Sequence, residues 1–271
     1  MPDLIKGKAT ICVVNYKTFD LTRLCLRSIR KFTNYPYEVI VVDNDSQDQS
    51  LEYLRFLKWI RLIERSTENE LSGGYSHAAA LDLGLENCNT EFFISMHSDV
   101  IVQKADWLTS LVSCFDRDEM VACVGSGKVE LIPKWRVLLK TATDFRTFKR
   151  KFFREPDPVG KHRYYNRTIC CLYRTDILRR ENLSFLMGRN KGLKSGKKLY
   201  FELVDRDYKT VELPPVVMGK YIIHLAHATQ TVNPDEFTLR KKTIKKCSRF
   251  TTALMQSDRI ISILQDDSLD K

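Results

Sequence analysis

Short apolar runs alternate with amphipathic stretches through the first hundred residues of the chain. Thr10-Ile-Cys-Val-Val14, Glu38-Val-Ile-Val-Val42, Ile60-Arg-Leu-Ile63 and Glu91-Phe-Phe-Ile-Ser-Met96 read as strands. Continuous apolarity, rather than strict alternation, marks strands buried on both faces. Between them, apolar residues recur at helical spacing over Leu21 to Phe32, with Asp20 as the expected N-cap, over Ser50 to Trp59, and over the Ala- and Leu-rich Gly74 to Glu86. Alternating strands and helices predict an α/β fold, with a mostly parallel central sheet and helices on both faces.

Beyond residue 100 the alternation continues less regularly. A helix is expected over Ala105 to Phe115, and strands over Val121-Ala-Cys-Val124 and Thr168 to Tyr173, the latter entering a turn at Arg174-Thr-Asp176. A helix at Leu199 to Arg206 and strands at Lys209 to Leu213 and Lys220 to His224 follow. The pattern breaks over 134–158, where Trp135, Phe145, Phe148, Phe152 and Phe153 are interleaved with Lys and Arg. Residues after Asp235 predict a long amphipathic helical tail with a basic start.

Composition narrows the class. The chain has 271 residues, 43% of them hydrophobic and 29% charged, as in an ordinary soluble globular protein. No apolar run approaches the roughly 20 residues of a membrane span, and the first residues lack the apolar core of a secretory signal. The eight cysteines form no Cys-x-x-Cys pair, which disfavours a zinc ribbon and favours buried reduced thiols in a cytosolic protein. The net charge of +10 concentrates between Lys134 and Arg180 and at 240–246. Such patches attract nucleic acid, anionic lipid or phosphorylated ligands.

Two strands end in acids. Asp43 closes the second in Val41-Val-Asp-Asn-Asp-Ser46, and His97-Ser-Asp99 follows the strand ending at Met96. An open α/β sheet binds ligands at the carboxyl ends of its strands. There Asp43 can accept from a base imide or ribose hydroxyl, or it can serve a turn in which Asn44, Asp45 and Ser46 bond the backbone and cap the next helix. Asp99 has the chemistry of a divalent-cation ligand shared with substrate phosphates, against the alternative of an N-cap before Ala105-Asp-Trp107. His224 and His227 lie three apart at the end of a predicted strand and are candidates to complete a metal shell. Gly73-Gly74, with Ser72 and His77, opens an Ala-rich helix whose first N–H groups can face a phosphate, or simply form a tight turn.

In order, Val13-Val-Asn-Tyr16, Val41 to Ser46, Ser72-Gly-Gly-Tyr75, His97-Ser-Asp99, Thr168 to Asp176, Asp207 to Pro214 and His224 to Thr229 resemble a family-2 glycosyltransferase of the GT-A fold. The likeness covers about residues 8 to 230. It implies a single Rossmann-like GT-A domain over 1–233, with a nucleotide-binding half at about 8–100, an acceptor half at about 101–233, and the tail at 234–271. It further implies that Asn15 and Asp43 contact the nucleotide, with Asn44, Gly73, Gly74, His77, His97 and Ser98 also on the donor side. Asp99, His224 and His227 would hold Mn2+ or Mg2+ against the donor diphosphate. The implied reaction moves a sugar from a nucleotide donor, UDP- or dTDP-linked, to a hydroxyl of a glycan or lipid-linked glycan, with inversion, in cell-surface polysaccharide synthesis.

Two departures stand out. His97 occupies the place of the first acid of the family's Asp-x-Asp motif. The acidic pair that usually supplies the catalytic base falls on Ser195-Gly196. Glu202 is the nearest substitute, ahead of Asp205 and Asp207, with Asp157 and Asp176 further off. The alternative is a catalytically inactive GT-A protein that binds a sugar nucleotide or glycan. The basic and aromatic stretch 134–154 is the expected acceptor and peripheral-membrane surface, or else an irregular segment packed on the core. Nucleic acid is the least expected partner, because it leaves Asp43 and Asp99 unexplained. The expected location is the cytoplasm, with peripheral contact at the inner face of the membrane.

Overall fold

The computed structural model describes residues 3–68, 70, 73–116, 118–127, 165–225, 228–233 and 251–271. Among these described residues nine strands run β1 (Ile5–Asn15), β2 (Tyr37–Asn44), β3 (Ile60–Arg65), β4 (Thr90–His97), β5 (Val100–Val102), β6 (Val121–Ser126), β7 (Cys170–Arg174), β8 (Lys209–Leu213) and β9 (Ile222–His224). The helices are α1 (Phe19–Phe32), α2 (Gln49–Phe56), α3 (Gly73–Glu86), α4 (Trp107–Val112), α5 (Thr175–Arg180), α6 (Lys197–Asp205), α7 (Pro215–Met218), α8 (Ala228–Val232) and α9 (Asp258–Leu264).

Seven strands form one sheet in the order β3-β2-β1-β4-β7-β6-β8, and β5 pairs with β9 in a second, two-stranded sheet. From β3 to β4 the large sheet is parallel, and β6 and β8 are parallel too; β7 runs antiparallel to both neighbours. Side chains of successive residues point to opposite faces, so each buried strand feeds two cores. Ile11, Val13, Val39 and Val41 pack on one face with Leu26 and Ile29 of α1 and Trp107 and Leu108 of α4. Cys12, Val14, Ile40 and Val42 pack on the other with Ala78 and Leu81 of α3, Ile177 of α5 and Leu199 of α6. This is the predicted architecture of an α/β sheet with helices on both faces.

Several details differ from the sequence reading. The N-cap of α1 is Thr18, not Asp20, which lies in the first turn. The expected helix from Ala105 is only α4, and the supposed turn at Arg174-Thr-Asp176 begins α5. The helix after β2 is capped by Asp48, whose carboxylate accepts from Ser50 N–H at 3.0 Å, rather than by the residues 44–46. The described part of the tail is not one long helix: α9 is followed by a 3-10 turn at Asp267–Asp270. It packs back on α1, where Ile260 and Ile263 meet Leu21 and Leu24. The buried Arg27 guanidinium pairs there with Asp270 and, at 2.7 Å, with Asp267. The stretch 134–154, Ser72 and His227 lie outside the described residues.

All seven described cysteines are free, and six are buried. Burial pushes the Cys12 and Cys25 thiols far up and that of Cys170 up to about 12. They are inert core packing rather than nucleophiles.

Candidate metal and nucleotide site

Strand register builds the site. Asn15 at the end of β1 pairs with Asp43 on β2, and Val14 one residue earlier pairs with His97 on β4. Three chemistry-bearing residues therefore reach the carboxyl edge of the parallel strands at one level.

Asn15 is fully buried and organises this edge. Its Nδ2 donates to Asp43 Oδ1 at 2.7 Å, Ser46 Oγ at 3.0 Å and Ser50 Oγ at 2.9 Å. Its Oδ1 accepts from the hydroxyls of Thr18, at 3.1 Å, and Thr22, at 2.6 Å. Thr18 in turn reaches Ser98 Oγ at 3.3 Å. Asp43 is 1% exposed. Its Oδ2 accepts from Ser46 N–H at 2.9 Å and its Oδ1 from Ser46 Oγ at 2.5 Å. The turn reading of Asp43 is thus realised locally, while a carboxylate, with about four lone-pair directions, keeps capacity for a further donor. Asn44 Oδ1 accepts from Arg65 at 2.8 Å.

The second group forms where the chain leaves β4. His97 ends the strand, Ser98 and Asp99 make a turn, and β5 carries the chain to β9. Val100 pairs with His224, and Leu225 N–H donates to the Asp99 carbonyl at 3.0 Å. This two-stranded sheet is absent from the sequence reading. It overturns the N-cap alternative for Asp99, because a strand separates Asp99 from α4, whose N-cap is Asp106.

His97, Asp99 and His224 bring one ligand atom each to within 4.8 Å of one another. Asp99 Oδ1 lies 3.4 Å from His224 Nε2 and 3.7 Å from His97 Nδ1, yet this buried oxygen accepts no well-formed hydrogen bond. A buried carboxylate oxygen without a bonded donor, facing two imidazoles, fits a divalent cation. Burial opposes ionisation of Asp99, but His224 and His97 outweigh it and lower its pKa. Burial pulls His97 down to about 4, against the pull of Asp99. His77, whose ring centre is 4.8 Å from that of His97, is lowered to about 3 by burial and by His97. At neutral pH these imidazoles are uncharged, the form that ligates metal.

The glycines of α3 also gain a cause. A Cβ at Gly74 would stand 2.5 Å from Nη2 of Arg189, so the glycine admits the guanidinium to the start of the helix. Ser195 Oγ donates to the Gly74 carbonyl at 3.1 Å, which ties the donor loop to the residues before α6. Gly196 has φ +70°, and a Cβ there would meet Thr168 Cγ2 at 2.8 Å. An acid at this position would be strained, which gives the missing half of the acidic pair a backbone reason. Glu202, the expected substitute base, is engaged in ion pairs. Its carboxylate is paired with Lys198 at 2.6 Å and Arg206 at 3.1 Å on the surface of α6, and the Lys198 hydrogen bond, with both cations, lowers its pKa.

Sequence reasoning missed Arg167, Arg189 and Lys197, which stand on this side of the site. For Arg189 a signal existed: Gly188-Arg-Asn-Lys-Gly192, two glycines flanking cations, both in the left-handed region at φ +74°.

A mostly parallel sheet with helices on both faces and acids at its carboxyl edge is in keeping with the GT-A fold. The family model described as Glycosyl transferase family 2 matches residues 10–181, and the chain belongs to that family. Chondroitin synthase of Pasteurella multocida (strain Pm70) is 26% identical over 112 residues, 41% of this chain and 11% of that protein; the chain spans about a tenth of that relative. The mannosyltransferase PcManGT from Pyrobaculum calidifontis superposes with a TM-score of 0.54 at 19% identity, over 79% of this chain and 57% of that one. S. aureus TarS (residues 1-349) superposes with a TM-score of 0.50 at 17% identity, over 95% and 69%. The two structural likenesses bear on the fold. Among the described residues no helix is long and apolar enough to cross a membrane.

Proposed function

We propose that this chain transfers a sugar from a nucleotide-sugar donor to a hydroxyl of a glycan or lipid-linked glycan, with inversion, using a divalent cation held by His97, Asp99 and His224. The observation that carries this reading is the buried Asp99 oxygen that faces both His97 and His224, one strand away from the Asn15–Asp43 pair. The relatives are in keeping with it: the PcManGT structure is a complex with GDP-Man and Mn2+, and a TarS structure contains UDP.

A bound cation would supply electrostatic stabilisation to the leaving diphosphate. The chain's own part is to fix that charge and to exclude water. Asp99 is locked by the β5–β9 pairing, and His97 by the register of β4, so neither must reorganise as charge develops. Asp43 and Asn15 would position the base or ribose. Two nitrogens and one oxygen favour Mn2+ or another transition ion over Mg2+, which prefers an all-oxygen shell. His227 is a further candidate ligand by sequence. The cytoplasmic face of a membrane, with contact through 134–154, is the proposed working location.

A second reading has its own observation. With Gly196 fixed by backbone conformation and Glu202 held in ion pairs with Lys198 and Arg206, the first-choice base is engaged elsewhere, which favours a binding protein without turnover.

The test is thermal unfolding against UDP, dTDP and GDP, each with Mn2+, with Mg2+ and with chelator. Ligand at about 100 times its dissociation constant adds about 2.7 kcal/mol of stability. A shift with one nucleotide that requires Mn2+ is expected; no shift with any of them sinks the donor assignment. Release of free sugar or its transfer, assayed with the nucleotide sugar so identified, separates enzyme from binder.

A further inference from the structure

Lys197 is 7% exposed, and among the described residues no carboxylate pairs with it. Its ammonium lies 5.7 Å from the centre of the Tyr165 ring, and the Arg167 guanidinium lies 5.7 Å from the same ring. Arg167 brings a buried Nε that has no hydrogen-bond partner. Two cations on one buried ring repel each other. A ring face compensates part of the cost of taking an ammonium out of water, not all of it. Burial and Arg167 together pull the Lys197 pKa down. The ring offsets only part of the cost of holding both cations here, which leaves the pair suited to an anionic ligand.

The position indicates which one. Arg167 N–H donates to Ser126 O at the end of β6, and Ile169 O, two residues on, accepts from His97 N–H at 3.0 Å. The charge of Arg167 is felt at His97, so Arg167 flanks the metal site. It does so on the side away from Asp43. β2, with Asp43, is separated from β7, which follows Arg167, by β1 and β4, and three strand spacings are about 14 Å. A donor spanning Asp43 to the cation at His97 would be used up before it reached Arg167.

We propose that Arg167 and Lys197, on the face of Tyr165, form a subsite for an anionic group, a phosphate or a carboxylate, carried by the acceptor. This rests on the transferase reading only for the word acceptor; the anion site itself does not depend on it. The subsite selects acidic acceptors, and it sits next to Ser195-Gly196, where an acid would have repelled them. An anion at this place satisfies the Arg167 Nε and separates the two like charges.

The test is equilibrium dialysis of the whole chain with labelled sulfate at low ionic strength, first in chelator and then with Mn2+ and the nucleotide that stabilises it. Lys197→Met and Arg167→Met are each expected to weaken sulfate binding by about tenfold or more, the worth of a lost charge-assisted hydrogen bond. The thermal midpoint of Lys197→Met should rise, since a methionine of similar length relieves a buried uncompensated charge. Sulfate binding that survives saturation with nucleotide and Mn2+ supports an acceptor site. Loss of it under those conditions assigns the cations to the donor diphosphate and overturns the proposal, as does equal binding by wild type and both variants. A lower midpoint for Lys197→Met makes its role structural and overturns the reading of Lys197; should that variant not fold, Arg167→Met carries the binding comparison alone. If no nucleotide binds at all, the transferase reading fails, while the chelator arm still decides the anion site.

Discussion

The two halves of this sheet solve opposite problems. On the side of β1, β2 and β3 the polar groups at the strand ends are satisfied: Asn15 alone engages Asp43, Ser46, Ser50, Thr18 and Thr22. From the end of β4 onward the chain leaves polar atoms unanswered, at Asp99 Oδ1 in the turn before β5 and at Arg167 Nε ahead of β7. A satisfied network rigidifies and an unsatisfied one waits for a ligand. The first half is a scaffold that is finished when the chain folds, and the second is completed by what binds.

Breaking the unsatisfied side should have the largest effect on binding and a small one on folding. Asp99→Asn is expected to lower Mn2+ affinity by more than about a hundredfold, read by calorimetric titration, with the thermal midpoint in chelator unchanged or raised. Unaltered Mn2+ affinity would remove Asp99 from the metal shell.

The satisfied side should behave in reverse. Asp43→Asn keeps the shape but points an amide where Asn15 and Ser46 donate, at a cost of about 1–3 kcal/mol in denaturant unfolding. Nucleotide binding should fall with it, and a variant as stable as wild type would mean that the network is not what holds this edge.

Acid distinguishes the halves as well. His77 and His97 titrate near 3 and 4 when folded, against an ordinary 6.5. As pH falls below about 6.5, the unfolded chain takes up protons first, so stability is complete above that value and drains away toward pH 4 and below. The thermal midpoint in chelator is expected to drop between pH 7 and pH 4.5, and His77→Gln to flatten the curve. A midpoint independent of pH over that range would show that the imidazoles are hydrated. The smallest effect is expected at Glu202→Gln, whose ion pairs lie within its own helix: turnover should stay within about twofold, and a collapse of turnover would return Glu202 to the role of base.

The satisfied half was also the legible one. Continuous apolar strands and acids at their ends placed β1, β2 and β4 and their sheet, and the order of the motifs gave the family. The metal group was read as a set of residue types, but its assembly was not. β5 is three residues long, too short for a period-2 pattern to emerge from Val-Ile-Val, and the strand expected at Lys220 to His224 carried no sign of which segment it would pair with. Arg167 and Lys197 look in sequence like any surface cation in a chain of net charge +10. Their burial is a property of the tertiary fold alone. The Asp20 cap failed for a different reason: Thr18 and Thr22 turn their hydroxyls inward to Asn15, and a local propensity yields to a buried network.

The pairing of Val100 with His224 has a consequence for how the molecule is made. A nascent chain emerging from the ribosome can assemble β1 to β4 from its first hundred residues, largely through nearby contacts. The cation site cannot close until more than a hundred further residues have been synthesised and β9 has returned to β5. If the group holds a cation, as proposed, its capture would be a late event in the life of the polypeptide, and a stalled or truncated chain that ends short of His224 would lack one of the three proposed ligands.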